Sequence, residues 1–521
     1  MANIGKNVIE NLTTAMYENS YTIYREYIQN SADSIDKAIA EGILLKEDAI
    51  IDINIEMNQR RISIYDNAKG ISVSNFNKIL TNIADSKKDR KKEKGFRGIG
   101  RLAGVAYCDK LIFKSSYKGE DIESILEWDG MKLREVLNDT RQHPSASKLV
   151  DDVTNSYTNS AKKDSHYFEV ILENVVVESD NLLEKDGVIE YLRHVAPIPF
   201  SNAFYFRSKI QEFCEAEKLK IDEYNIQVNG SRPLDKYYVT RIYDKNNKVA
   251  DEISDLEFRK FINKDGKLIA WMWFGVIKFN TAIHTINKMR CLRLRKENIQ
   301  IGNERTLGRF FKEPRGNSYF IGEIYALDSE LIPNARRDYF NQNSTCRDFE
   351  NAIIPVLYTE FSHLYRYASE IKKIYQRQNE LIEKEKEYED KINKGSFINE
   401  EEQKEAKKEL EAKKEKVQKE KRTLELRQKD AEMNPILNRV FTEIQTTYKP
   451  IEMIEKTTEK IETADNQQNN KNNKKYLSQS LSKYGRKEQK LISHIYEIII
   501  NMLPKDTADM VVAKIQEELN K

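Results

Sequence analysis

Tyr24-Arg-Glu-Tyr-Ile-Gln-Asn-Ser-Ala-Asp33 sets Glu26, Asn30 and Asp33 at i, i+4 and i+7. In a helix these positions share one face, so a carboxylate, an amide and a second carboxylate line up. Tyr24, Ile28, Ala32 and Ile35 occupy the other faces. The pattern predicts a helix packed on both sides with one polar stripe left open, either a solvated face or the wall of a cleft.

Further along, Ile51-Asp-Ile-Asn-Ile-Glu-Met57 and Arg61-Ile-Ser-Ile-Tyr65 alternate apolar and polar residues as paired strands do. Asp66-Asn-Ala-Lys-Gly70-Ile71 then puts a carboxylate and a glycine at a strand end. Ser86-Lys87-Lys88 opens a lysine-rich segment that closes on Gly95-Phe-Arg-Gly98-Ile99-Gly100-Arg-Leu-Ala-Gly104, just ahead of an apolar helical run. Backbone N–H groups at such a helix start can face phosphate oxygens.

This order resembles the nucleotide-binding fold shared by gyrase, the heat shock protein 90 chaperones, histidine kinases and MutL, the GHKL superfamily. The resemblance implies a Bergerat-type α/β sandwich with ATP lying between helices and a mixed sheet. Carried onto this chain, it implies that Asn30 holds Mg²⁺ through its side-chain oxygen, the metal bridging the triphosphate. Glu26 would orient and deprotonate the attacking water. Asp33 would assist the nucleotide or structural waters, and Asp66 would accept the adenine amino hydrogen bond. Gly70, with Ile71 beside it, lets the backbone approach the base. Lys87 resembles the lid lysine that reaches a phosphate, and Gly95, Gly98, Ile99 and Gly100 form the loop over the triphosphate. Two positions depart from the family pattern. Ala68 stands in place of a glycine, and His166, in Ser165-His-Tyr-Phe-Glu-Val-Ile-Leu-Glu173, stands where a threonine helps bind adenine. Either His166 replaces that hydrogen bond or the water network differs.

A chain of 521 residues has room for two or three domains. Its 86 Lys and Arg against 84 Asp and Glu leave it near neutral, so the chain as a whole carries no nucleic-acid or acidic-substrate signature. Cys108, Cys214, Cys291 and Cys346 form no CxxC pair, which predicts buried or incidental thiols in a reducing compartment. The histidines show no zinc spacing. With no basic-then-apolar leader and no run of about 18 apolar residues, a soluble cytoplasmic protein with no membrane partner is expected.

The expected plan is an ATP-binding domain over 1–180, a mixed α/β middle domain over 181–350, a coiled-coil hairpin over 351–462, a polar linker over 463–475 and a small helical module over 476–521. Val8, Ile9, Leu12 and Met16 predict a short first helix, and the polar region from about Asp121 to Asp164 reads as a surface insertion. Asp186–Phe200 reads as a helix stopped by two prolines. The runs Tyr224–Val228, Tyr237–Tyr243, Leu268–Ile277 and Leu292–Ile301 predict a middle-domain sheet with helices on one side.

Ile321–Phe340 resembles the heat shock protein 90 segment whose Asn-x-x-Arg-acidic sequence brings an arginine against the γ-phosphate. The resemblance puts that role on Arg337, with Arg336 as its rival. A guanidinium suits it, being always charged and binding phosphate oxygens in a fork. Arg293, Arg295 and Lys296 form a second basic group, read as a sheet face or a partner surface.

Ile371, Ile374, Leu381, Tyr388 and Ile392 take a and d positions, Gly395 breaks the run, and Leu410, Val417, Leu424 and Ala431 return at sevens. Two helical arms around a turn predict an antiparallel hairpin, with a long parallel dimer rod as the alternative. Asn466–Lys475 cannot bury itself, and the apolar positions beyond it read as helices that dock a partner or a second copy.

The class expected is therefore α+β, and the function a slow Mg²⁺-dependent ATPase of the heat shock protein 90 or MORC type. Its nucleotide cycle would drive domain and subunit closure in a homodimer acting on an unknown protein client. Two alternatives stand beside this. One is a DNA-engaging clamp like MORC or MutL, using the lysine-rich hairpin, and the other is a nucleotide-gated scaffold in bacterial defence. A histidine kinase is not expected, since no phosphoacceptor helix precedes the ATP domain.

Overall fold

Isoleucine at every second position of strand β1 (Ile51–Glu56) buries Ile51, Ile53 and Ile55 on one face. An αL residue, Arg60, turns the chain into β2 (Arg61–Asp66). In the computed structural model these two strands lie within a seven-stranded sheet with β3 (Cys108–Ser116), β4 (Ile122–Asp129), β5 (Thr154–Ser160), β6 (Tyr167–Val175) and β7 (Ile226–Val228). The order is β5-β4-β3-β6-β2-β1-β7, antiparallel except where β7 runs parallel to β1. The structure describes residues 5–13, 19–82, 100–450, 488, 491–492, 494–496, 498–499 and 505–519.

Helices α1 (Asn7–Thr13), α2 (Thr22–Ala40), α3 (Val73–Thr81), α4 (Gly130–Asn138), α5 (Ala146–Val153) and α6 (Lys185–Val195) belong with this sheet. Ile23, Tyr24, Ile28, Ala32 and Ile35 of α2 share one core with Ile51, Ile53, Ile62, Ile64, Val170, Leu172 and Ile226. Tyr24 donates its buried hydroxyl to Leu182 O at 2.6 Å. Helix α2 is thus packed on both sides, but its polar stripe is not open: Glu26 and Asp33 are buried and Asn30 is half-buried.

Three readings of the sequence are corrected. The region 121–164 is no surface insertion, because Ile125, Leu126 and Trp128 of β4 are buried within the sheet. The run Tyr224–Val228 contributes β7 to this first sheet rather than to a later one, its Ile51–Ile226 register set beside β1. The N-terminal core accordingly extends past residue 180, as far as Leu234. Of the expected first helix, Met16 lies outside the described residues.

After α7 (Arg207–Ala216) come β8 (Arg241–Tyr243) and β9 (Val249–Glu252), paired with each other. A five-stranded sheet follows, made of β10 (Asp255–Ile262), β11 (Leu268–Val276), β12 (Cys291–Lys296), β13 (Ile299–Ile301) and β14 (Ile321–Ala326) in the order β10-β11-β14-β12-β13. The run 292–301 is two strands, because Glu297 and Asn298 both take positive φ and turn the chain back. The sheet is covered on both faces, not one. Trp271 meets Phe213 of α7, whereas Phe274 meets Phe361, which follows α8 (Ser344–Ile354) in a π-helical turn.

Arg293, Arg295 and Lys296 are not a partner surface. Arg295 is paired with Glu323 of β14 in the interior, Arg293 donates to Gln300, and Lys296 donates to the carbonyls of Leu327 and Asp328. Lys236 joins them, fully buried, with its ammonium 2.8 Å from Glu323 and 2.7 Å from Asn298 Oδ1. Since Arg295 also donates to His194 O at the end of α6, this buried network ties the two sheets together. A charge network this deep holds only while every member is satisfied.

The two sheets form one compact unit, residues 1–277 and 282–362, and a second unit comprises 278–281 and 363–521. In the second, α9 (Ser362–Asn393) and α10 (Glu400–Met433) run antiparallel across Gly395, whose φ is 62°. Glu370–Arg427, Arg377–Glu420 and Glu385–Lys414 pair between them. Helix α11 (Pro435–Tyr448) buries Val440, Phe441 and Ile444. Helix α12 (Lys505–Leu519) packs Val512 against Tyr496 with Ile492, Ile499, Ile515 and Leu519 around them. Asn466–Lys475 lies outside the described residues. Among those described, no helix is long and apolar enough to cross a membrane.

Candidate active site

The loop after β14 carries a tight turn made by its own side chains. Asn334 donates its amide to Asp338 and accepts from Asp338 N, while Arg337 N donates to Asn334 O. Arg337 takes φ 56°, a left-handed conformation uncommon for a residue with a Cβ. Its carbonyl is held by Gly302 N at 2.8 Å, at the end of β13. The Asn-x-x-Arg-acidic sequence is thus a clasp that aims one arginine.

That arginine meets α2. Arg337 Nε donates to Glu26 Oε1 at 2.6 Å and Nη2 to Glu26 Oε2 at 3.3 Å, a two-pronged contact with Glu26 4% and Arg337 6% exposed. Arg336, next to it, is exposed. Gly100, at the start of a 3-10 helix over Gly100–Tyr107, lies against the same carboxylate, and a Cβ there would overlap Glu26 Oε2. Arg25 Nε stands 3.9 Å from Glu26 Oε1 and is buried with no hydrogen bond among the described residues. Two buried guanidiniums therefore stand near one buried carboxylate.

The second cluster is the turn after β2. Asp66 is buried and accepts from Ala68 N at 3.2 Å and from the Ser31 hydroxyl of α2. Asn67 accepts from Ile50 N and donates to Asp48 O. Gly70 has φ 72°, and a Cβ there would run into Ser116 O, so only glycine fits. Ile71 N donates to Ser115 Oγ at 2.8 Å. Ser31 links this cluster to the face of α2 that bears Glu26 and Asn30, so one helix serves both.

Burial pushes the Asp66 carboxyl up from its ordinary 3.8 to about 7, against the Ser31 and Ala68 hydrogen bonds. Because the folded value lies above the unfolded one, the stability contributed by the protonated form is fully present below about pH 4 and is lost as pH rises through about 7. Asp66→Asn is therefore expected to gain stability over the parent at pH 8, by up to about 4 kcal/mol, and less than half as much at pH 5. Denaturant unfolding of both chains at the two pH values measures this, and an equal difference at both would contradict it. A buried carboxylate kept at such a cost marks a site shaped for something other than stability.

The geometry thus brings Glu26, Arg337 and Gly100 together at one place and Asp66, Gly70 and Ile71 at another, with Asn30 and Asp33 on the same helix α2 as Glu26. Residues 17–167 match the family of histidine kinase-, DNA gyrase B- and HSP90-like ATPases. The match supports the GHKL superfamily for this part of the chain, and with it ATP binding and hydrolysis in general. Arg337 lies beyond the matched residues. No curated protein matches the chain.

Within the GHKL stretch, Lys87, Gly95, Gly98 and Ile99 lie outside the described residues. Sequence reasoning passed over Arg25, Ser31, Tyr27 and Tyr191. Tyr27 accepts from Gly104 N and donates to Arg101 O, bracing the 3-10 helix against α2. Tyr191 of α6 is half-buried beside Thr22 and Arg25. Spacing carried no signal for these, since each contact crosses from α2 to a distant segment. Among the described residues no group of three or more His, Cys, Asp or Glu could hold a metal. Asn30 instead offers one hard oxygen beside a buried carboxylate, which suits magnesium held mainly by phosphates and water.

Proposed function

We propose that this chain binds ATP with magnesium in the unit containing both sheets and hydrolyses it slowly, using the cycle to open and close the Glu26–Arg337 contact. The observation that carries this reading is that contact: a buried arginine, on a loop 311 residues further along the chain, clamps the carboxylate of α2 with both prongs. So held, Glu26 has one lone pair on each oxygen taken by Arg337 and its carboxylate tied to a guanidinium rather than to water. The γ-phosphate of ATP carries more charge and the same forked geometry, so it competes for Arg337 and leaves Glu26 to take a proton from water.

Asp66 would hold the adenine amino group, with Gly70 and Ile71 beside the base and Asp33 ordering the nucleotide or water. Lys87, Gly95, Gly98, Ile99 and Gly100 would cover the phosphates. Asn30 would hold magnesium, which when bound supplies charge neutralisation across the phosphates.

Closure between two copies of the chain and transmission to a protein client complete the proposal, in the manner of the heat shock protein 90 and MORC families. The four buried free cysteines suit a reducing, cytoplasmic setting. For DNA the lysines of α9 and α10 are less apt than their number suggests, since Lys384, Lys404 and Lys414 pair with Glu387, Glu400 and Glu385.

The test is phosphate release from ATP by the full chain, with magnesium and with EDTA. Slow turnover abolished by the chelator is expected. Tight ATP binding with no phosphate released would favour the nucleotide-gated scaffold, and no ATP binding would end the proposal.

A further inference from the structure

Strand β6 begins at Tyr167 and pairs with β2 through Asp66–Phe168. Continuing that antiparallel register by two residues sets residue 166 across from residue 68, so the sheet itself carries the His166 ring to the Asp66–Gly70 turn. There Nδ1 lies 3.1 Å from Asn67 O and 2.9 Å from Ala68 O. Both partners are carbonyl oxygens, which only accept, so Nδ1 carries the proton and donates to them in a bifurcated bond. The far side of the same two residues is fixed as well, by the contacts of Asn67 with Ile50 N and Asp48 O and by Ala68 N on Asp66 Oδ1. Ser115 Oγ, which accepts from Ile71 N, donates to Tyr167 O next to His166. The start of β6 thus grips both ends of the turn.

We infer that His166 is a positioning residue that sets base selectivity: its Nδ1–H fixes the Asn67 and Ala68 carbonyls and thereby aims Asp66, without touching the nucleotide. This rests on the reading of Asp66 as the adenine contact. Asn67 O and Ala68 N belong to one peptide plane, so the bond from Nδ1 to Asn67 O steadies the N–H that Asp66 Oδ1 accepts and with it the direction of the Asp66 carboxyl. Above about pH 7, where the Asp66 carboxyl is ionised, a base carrying a carbonyl at that place, as guanine does, meets only an acceptor and is refused.

The ring's role separates cleanly by substitution. An asparagine amide places its N–H near the position of Nδ1, whereas a glutamine amide reaches the position of Nε2. ATP and GTP affinities would be measured by equilibrium titration of the full chain for the parent, His166→Ala, His166→Asn and His166→Gln, together with kcat and KM for ATP and a nucleotide-free melting curve. His166→Ala and His166→Gln are expected to bind ATP roughly tenfold more weakly, as for losing ordinary hydrogen bonds. They should also lose most of the preference over GTP, raising KM more than they lower kcat. His166→Asn is expected to restore both affinity and preference.

If all three variants keep the parent's preference for ATP, or if alanine and asparagine behave alike, His166 does not aim Asp66 and the inference is overturned. A parent that binds ATP and GTP equally, or neither, sinks the reading of Asp66 instead, and the nucleotide-free melting curves identify a variant that fails by unfolding.

Discussion

Glu26→Gln is expected to bind ATP at least as tightly as the parent and to release phosphate about 10² to 10⁴ times more slowly. The amide keeps the volume of the carboxylate and can still accept from Arg337, so the packing around α2 survives. What it loses is basicity and charge. In the proposed cycle the carboxylate competes with the triphosphate for one guanidinium, so removing its charge leaves Arg337 easier to recruit, which sets the sign of the affinity change. Steady-state phosphate release and nucleotide titration measure the two quantities on the same preparation. Turnover at the parent's rate would remove Glu26 from the chemistry, and loss of binding alone would recast it as a contact to the nucleotide.

Arg337→Ala is expected to act twice. Without nucleotide it leaves the Glu26 carboxylate buried and without its forked partner, a change that costs about 3–5 kcal/mol for pairs of this kind. With ATP it removes the positive charge that the proposed cycle brings to the γ-phosphate, and a loss of about 10³-fold or more is expected. Arg337→Lys keeps a charge but not the planar fork, so it should recover part of the stability and little of the turnover. Arg336→Ala, on an exposed side chain, should shift stability by no more than about 0.5 kcal/mol. Denaturant unfolding and phosphate release of the three variants separate these outcomes, and equal effects at 336 and 337 would contradict the geometry.

Part of this was legible in the amino-acid order and part was not. The period of Tyr24–Asp33 showed which side chains share a face of α2. It could not show what covers that face, and Glu26 proved to be buried beneath a loop from far along the chain. The strands at Ile51–Glu56 and Arg61–Asp66 were plain from alternation, whereas the short β7 was visible as a strand but not as a neighbour of β1, since a parallel pairing across 170 residues leaves no local trace. Strand β4 was hidden because Glu123, Glu127 and Asp129 break the apolar run although Ile125, Leu126 and Trp128 are interior. Arg293 and Arg295 misled for the opposite reason. Charges in a strand suggest a solvated face, and the buried Glu323 that overrides this sits on the neighbouring strand β14. At the Asp66 turn the need for Gly70 was readable, but the anchors Ser31 and His166 depend on helix placement and on strand register.

The most direct measurement is a double-mutant cycle between Glu26→Gln and Arg337→Lys, read as unfolding free energy without nucleotide and again with a saturating non-hydrolysable ATP analogue and magnesium. Without nucleotide, the expected coupling is about 2 kcal/mol or more, and with the analogue bound it should fall to within about 0.5 kcal/mol of zero as the guanidinium moves to the phosphate. A coupling that stays the same when the analogue binds would contradict the exchange of Arg337 between Glu26 and ATP.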